Sequence, residues 1–194
     1  MKYRTALAEL TKIGRELWER RLVTGSSGNL SVRLDDGSLL MTRAGASLRA
    51  LAATDFVLTD GLGIPRDEKC LPTTEYQLHV AAYQTRDDIA VALHTHPTFC
   101  VIWSKYNAVL PRDTAGARET LRDVAVTPYR PPGTAELAAE VAAILKHADN
   151  VIMERHGLLS VSSSIEDAFL QTDLAEEAAR IAYFSRLAGL TATD

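Results

Sequence analysis

The run Ile89-Ala90-Val91-Ala92-Leu93-His94-Thr95-His96 limits the fold of this chain more than any other segment. Its apolar part reads as a buried strand. A strand sends alternate side chains to opposite faces, so His94 and His96 leave the same face of a sheet. Two imidazoles side by side at a strand end suit a shared metal ion; two ordinary histidines near a sheet edge are the other reading of that spacing.

The remaining segments alternate around this strand. Residues 4–22 put Leu7, Leu10, Ile13, Leu17 and Trp18 near helical spacing, GSSGNLS at 25–31 breaks that helix, and SLLMT at 38–42 and DFVLTD at 55–60 read as short strands. GLGIPRDEKCLP at 61–72 reads as a loop, followed by a helix that begins near Thr74, capped by Thr73 or Thr74, and ends before Asp87. Further on, PTFCVIWSKY reads as a short helix opened by Pro97, VAVTPY at 124–129 as a strand, and residues 134–147 as a helix. NVIMERHGLLSVS at 150–162 reads as two short strands around His156-Gly157. Ser163-Ser164-Ile165-Glu166 then carries a capping-box signature for a long final helix. Strands interleaved with helices imply an α/β/α layered domain, and 194 residues fit one domain over 1–194.

Composition removes several classes of function. The chain is 46% apolar and 24% charged, with no run near the roughly 20 apolar residues of a membrane helix, so no membrane span is expected. The N-terminal segment mixes charges into an amphipathic pattern and lacks a secretory signal, which implies a cytoplasmic location. Cys70 and Cys100 are 30 positions apart and outside any C-x-x-C pair, so reduced thiols are expected. A formal charge of −4 argues against a general nucleic-acid binder.

A third neutral ligand can come from His156, which follows the apolar run VIM, with Gly157 beside it permitting close backbone approach. Three protein ligands and an open position describe a catalytic metal rather than a structural one. Glu75, directly after two threonines at a helix start, reads either as a fourth ligand and proton acceptor or as a carboxylate placed for the helix dipole. His79, four residues on, reads mainly as a packed helix histidine that can also turn toward the same site, and His147 as a structural residue near a helix C-terminus. Gly25-Ser26-Ser27-Gly28-Asn29-Leu30-Ser31 offers free backbone N–H groups, two adjacent hydroxyls and an amide that can cradle a phosphate, although most such clusters are ordinary turns.

Read together, GSSGNLSVR at 25–33, LLMTRAG at 39–45, LPTTEYQLHVAAYQTR at 71–86, VALHTHP at 91–97, PYRPPGTAEL at 128–137 and ERHGLL at 154–159 resemble the class II aldolase/adducin family, above all its sugar-phosphate aldolases. The resemblance implies an α/β fold of three layers with a central, mainly antiparallel sheet, and a homotetramer with active sites at subunit interfaces. It implies zinc, or manganese or cobalt, on His94, His96 and His156, with Glu75 as a resting ligand and an acid/base in turnover. Gly28, Asn29, Gly45, Thr73 and Thr74 then match the residues that hold a substrate phosphate. The implied reaction is reversible cleavage of a small phosphorylated ketose to dihydroxyacetone phosphate and an aldehyde, through an enediolate that zinc stabilises.

Within the family, Glu75 favours aldolase, dehydratase or decarboxylase chemistry over the related epimerases, which usually carry aspartate there. Thr73-Thr74-Glu75 also fits a branch that decarboxylates phosphorylated 3-oxo sugar acids. ERHGLLSV and LPRDTAG depart from the dehydratase branch. A non-enzymatic, adducin-like assembly module has lost the metal ligands, whereas this chain keeps them. Three departures from the aldolases stand out: Arg112-Asp113-Thr114-Ala115 replaces the segment carrying a catalytic tyrosine, Ala44 replaces a hydroxyl residue before Gly45, and the chain stops at Asp194 without a closing tail.

Overall fold

The structure is a computed structural model that describes residues 1–106 and 109–190; the chain end at Asp194 lies outside the described residues. Its strands are β1 (Asn29–Arg33), β2 (Leu39–Thr42), β3 (Phe56–Thr59), β4 (Val91–Thr95), β5 (Val124–Thr127), β6 (Asn150–Met153) and β7 (Gly157–Ser162). They form one sheet in the order β3-β2-β1-β4-β7-β6-β5. All neighbouring pairs are antiparallel except β5 with β6. The helices are α1 (Tyr3–Glu19), α2 (Tyr76–Thr85), α3 (Thr98–Ser104), α4 (Ala115–Thr120), α5 (Ala135–Leu145) and α6 (Ile165–Leu187). None of the described helices is long and apolar enough to cross a membrane.

Alternation along the strands sorts the helices into two layers. Val91 and Leu93 of β4, with Leu30 and Val32 of β1, pack under α1 and the start of α6. Ala92 faces the other way, against α2 and α5, together with Leu159 and Val161 of β7. The first layer holds because Ala6, Leu10, Ile13 and Leu17 repeat along one face of α1 and are all buried, each large aliphatic side chain contributing about 1.5–3 kcal/mol. On α6 five of the eight buried positions are alanine, Ala168, Ala175, Ala178, Ala179 and Ala182, so this long helix lies close against the sheet and α3.

The fold departs from the sequence reading in four places. GSSGNLSVR does not simply break the first helix, because Asn29–Arg33 is a strand between β2 and β4. Its short, half-polar pattern gives little local signal, and pairing on both sides decides it. Ala115–Thr120 forms an unexpected short helix whose N-cap, Thr114, accepts from the Ala117 N–H. Helix α2 starts at Tyr76 with Glu75 at the N-cap position, not Thr73 or Thr74, and no side chain caps it. The last helix is capped by Ser164, which accepts from the Asp167 N–H, one residue beyond the expected serine.

Strand β4 is flanked by β1 and β7, with Asn29 opposite His94 and Thr95 opposite Leu158. Strands β6 and β7 form a hairpin in which Met153 pairs with Gly157, so His156 is delivered by the turn between them. Gly157 is required there, because a Cβ would stand 2.3 Å from the Thr95 carbonyl oxygen and 3.0 Å from both His94 and His96. The Gly157→Ala protein is expected to lose about 1–3 kcal/mol of stability as strands β4 and β7 are forced apart. Chemical unfolding compared with wild type checks this.

Candidate metal centre

Four side chains from three parts of the chain meet at the end of β4. His94 and His96 leave the α2 face of the sheet, Glu75 enters from the start of α2, and His156 comes from the β6–β7 turn. Their ligand atoms all lie within 4.8 Å of one another. Glu75 Oε2 is 2.9 Å from His94 Nε2, and Oε1 is 3.2 Å from His156 Nε2. His96 Nε2 is 3.0 Å from His94 Nε2. Glu75 and His94 are buried.

Hydrogen bonding decides which nitrogen faces the centre. His94 Nδ1 lies 3.1 Å from the Leu158 carbonyl oxygen, which accepts only, so Nδ1 carries the proton and the Nε2 lone pair points inward. A backbone carbonyl behind a histidine is the usual way a metal ligand is oriented. Glu75 Oε1 and His156 Nδ1 are buried without a hydrogen-bond partner, a costly state for polar atoms.

The electrostatics agree with a ligand set. Burial opposes charge on Glu75, but His94 and His156 beside it hold its carboxyl well below the usual carboxylate range. Burial, reinforced by repulsion from His94 and His156, pushes His96 down to about 3. At neutral pH His96 is therefore uncharged and the carboxylate ionised, the forms in which both bind cations. Three imidazoles and one carboxylate, with no thiolate, fit a divalent ion such as zinc.

The turn that supplies His156 is strained. Arg155 has φ 56°, in the left-handed region, at a cost of about 1 kcal/mol or more. It is held because its N–H donates to Ser104 Oγ at 3.0 Å and its guanidinium lies 4.5 Å over the Tyr129 ring.

The segments expected to take an anion lie beside one another. Ser47 donates to the Gly25 carbonyl, the Ala44 N–H to Leu71 and the Thr73 N–H to Thr42, which ties the turns of Gly28, Gly45 and Thr73-Thr74 together. Gly28 has φ 81°, and a Cβ there would stand 2.9 Å from the His94 carbonyl oxygen, so this turn needs glycine for packing alone. Asn29 is buried, with its amide engaged by Glu75 and His79. Thr73 is buried, whereas Thr74 and Gly45 are exposed.

His79 is fully buried and held by polar partners rather than packed among apolar ones. His147 lies exposed just past α5 and is not among the grouped ligand residues. Cys70 and Cys100 are free. The sequence reading missed Ser31 and Tyr83, the partners behind His79; the four-residue spacing of Glu75, His79 and Tyr83 was the available signal.

The family described as Class II Aldolase and Adducin N-terminal domain matches residues 8–183. An L-fuculose phosphate aldolase of Methanococcus maripaludis is 34% identical over 91% of this chain and 96% of its own length. Among solved structures, an L-fuculose 1-phosphate aldolase superposes with a TM-score of 0.91 at 29% identity, covering 100% of this chain and 91% of that one. YgbL of Klebsiella pneumoniae, described as an aldolase/epimerase/decarboxylase, superposes with a TM-score of 0.86 at 28% identity, covering 95% of this chain and 91% of that one.

Metal analysis of the purified protein is expected to find about one divalent cation per chain. The combined His94→Ala and His96→Ala protein should hold none while keeping its far-ultraviolet circular dichroism, and a wild type that stays metal-free after incubation with zinc would count against the centre.

Proposed function

We propose that this chain, which belongs to the class II aldolase and adducin family, is a metal-dependent aldehyde-lyase that reversibly cleaves a small phosphorylated ketose to dihydroxyacetone phosphate and an aldehyde. The observation that carries this reading is the convergence of three imidazoles and a buried carboxylate beside three adjoining turns suited to an anion. The named activity of the relatives supports it.

His94, His96, His156 and Glu75 would hold the cation, zinc by preference, with manganese or cobalt compatible with the same donors. When bound, such an ion supplies Lewis-acid stabilisation to negative charge building on a carbonyl oxygen. Gly28, Asn29, Gly45, Thr73 and Thr74 take the phosphate and so fix which carbon lies next to Glu75. In cleavage the Glu75 carboxylate takes the proton of the hydroxyl whose oxygen becomes the aldehyde's, the C–C bond breaks with its electron pair left on the ketone half, and Glu75 then gives that proton to the carbon. In synthesis Glu75 removes the same proton. Segment 111–115 offers no tyrosine for the aldehyde oxygen: Arg112 pairs with Asp123 and Thr114 caps α4.

The same reading includes one domain over 1–194, a cytoplasmic location, and a homotetramer with active sites at subunit interfaces. Partners are then small phosphorylated sugars and neither nucleic acid nor membrane. A second reading, decarboxylation of a phosphorylated 3-oxo sugar acid, is favoured by Thr73-Thr74-Glu75 and by the likeness to YgbL. Dehydratase or epimerase chemistry and a non-enzymatic, adducin-like role rank below both.

Purified protein incubated with L-fuculose 1-phosphate and related ketose 1-phosphates should release dihydroxyacetone phosphate. Carbon dioxide from a phosphorylated 3-oxo sugar acid would select the second reading instead, and an inert tetramer without metal would remove the enzymatic one. Glu75→Gln is expected to lower kcat by about 10²–10⁴-fold, with the fold retained by circular dichroism.

A further inference from the structure

Behind Glu75 runs a line of buried polar side chains between β1 and α2. Asn29 and Ser31 alternate on β1 toward α2, while Glu75, His79 and Tyr83 follow at four-residue spacing from the N-cap of α2 along one side of that helix. Each is no more than 7% exposed. Tyr83 Oη is 2.7 Å from Ser31 Oγ, Ser31 Oγ 2.6 Å from His79 Nδ1, His79 Nε2 2.5 Å from Asn29 Oδ1, and Asn29 Nδ2 3.1 Å from Glu75 Oε2.

The ionised carboxylate at one end sets the direction of every link. Glu75 only accepts, so Asn29 turns its Nδ2–H toward it and presents Oδ1 to His79. Oδ1 also only accepts, so His79 must carry its proton on Nε2. A neutral ring then leaves Nδ1 as an acceptor for the Ser31 hydroxyl, and Ser31 in turn accepts from Tyr83. Apolar side chains of similar volume would fill this space without the risk of an unpaired buried polar group. The chain is therefore best explained by what it does to Glu75. Oε2 is engaged by Asn29 and lies beside His94, whereas Oε1 takes no part in this line and faces His156 Nε2 at 3.2 Å.

We propose that His79, backed by Ser31 and Tyr83, is a positioning residue that acts through Asn29 to hold Glu75 Oε2 and leave Oε1 as the oxygen that exchanges a proton with substrate. This inference rests on the reading of Glu75 as the acid/base. The proton moves between the substrate carbon and Oε1, its electron pair stays on carbon during abstraction, and Oε2 keeps its contacts throughout. His79 touches no substrate.

Two measurements test this. The first is the ¹⁵N spectrum of His79 in the zinc-loaded protein, where the Nε2–H tautomer with an unprotonated Nδ1 is expected. The second is deuterium incorporation into dihydroxyacetone phosphate in D₂O, which isolates proton abstraction from any aldehyde. His79→Leu should slow exchange about 10–100-fold with KM little changed and zinc still bound. His79→Gln, whose amide nitrogen can stand where Nε2 stood, should recover most of the rate.

An Nδ1–H tautomer in the wild type would overturn the proposal, as would zinc-loaded His79→Leu exchanging at the wild-type rate. If His79→Leu does not fold, a glutamine variant as slow as Glu75→Gln, while retaining zinc, overturns it too. Absence of exchange in the wild type would instead overturn the aldolase reading, and the tautomer measurement would still decide the polarity of the chain.

Discussion

A carboxylate buried among three imidazoles is the interaction on which the rest of this structure depends. An isolated ionised carboxyl in a protein interior costs many kcal/mol, and Glu75 is only 7% exposed. The Asn29 amide donates to Oε2, and a cation held jointly with His94 and His156, whose Nε2 atoms stand 2.9 Å and 3.2 Å from its two oxygens, would balance its charge. Metal binding by such a cluster is coupled to folding, since the four groups come from β4, the start of α2 and the β6–β7 turn and have no reason to meet in an unfolded chain.

The two faces of the sheet divide the work that this cluster requires. On the α1 and α6 face, large aliphatic residues and a run of alanines make a dry, close-packed layer. That layer fixes β1, β4 and β7 without involving any polar group of the centre. On the opposite face the same strands present Asn29, Ser31, His94 and His96, and α2 returns Glu75, His79 and Tyr83 against them. Polar groups can be concentrated there because most of them find partners, and because stability is supplied from the other side. The turn that carries His156 is strained, with Arg155 in a left-handed backbone whose N–H donates to the Ser104 hydroxyl.

Legibility varied with how much of each feature is local. The apolar run ending in His94-Thr95-His96 reads correctly as a buried strand, and the alternation of its side chains between faces is a property of the backbone itself. Helices α1, α5 and α6 announce themselves by apolar spacing and by Thr134 or serine caps. Strand β1 escapes notice, since Asn29-Leu30-Ser31-Val32 follows a Gly/Ser turn and owes its conformation to pairing with β2 and with β4, the latter far away in sequence. The start of α2 shifts by two residues, because Thr73 forms a turn ahead of the helix in which its hydroxyl accepts from the Glu75 N–H and its carbonyl from the Tyr76 N–H.

The sequence alone determined the donor chemistry: three histidines and a glutamate, no paired cysteines, a strand that aims two imidazoles to one side, and an ordered set of motifs that placed the chain in its family. Tertiary structure decided what those residues face. Only the packing of α2 on β1 turns His79 from an ordinary buried histidine into a link between Tyr83 and Glu75, and only the Leu158 carbonyl tells which nitrogen of His94 points inward. Residue identity sets which protons a group can give or take; the direction of each hydrogen bond depends on partners distant in sequence, which local pattern does not encode.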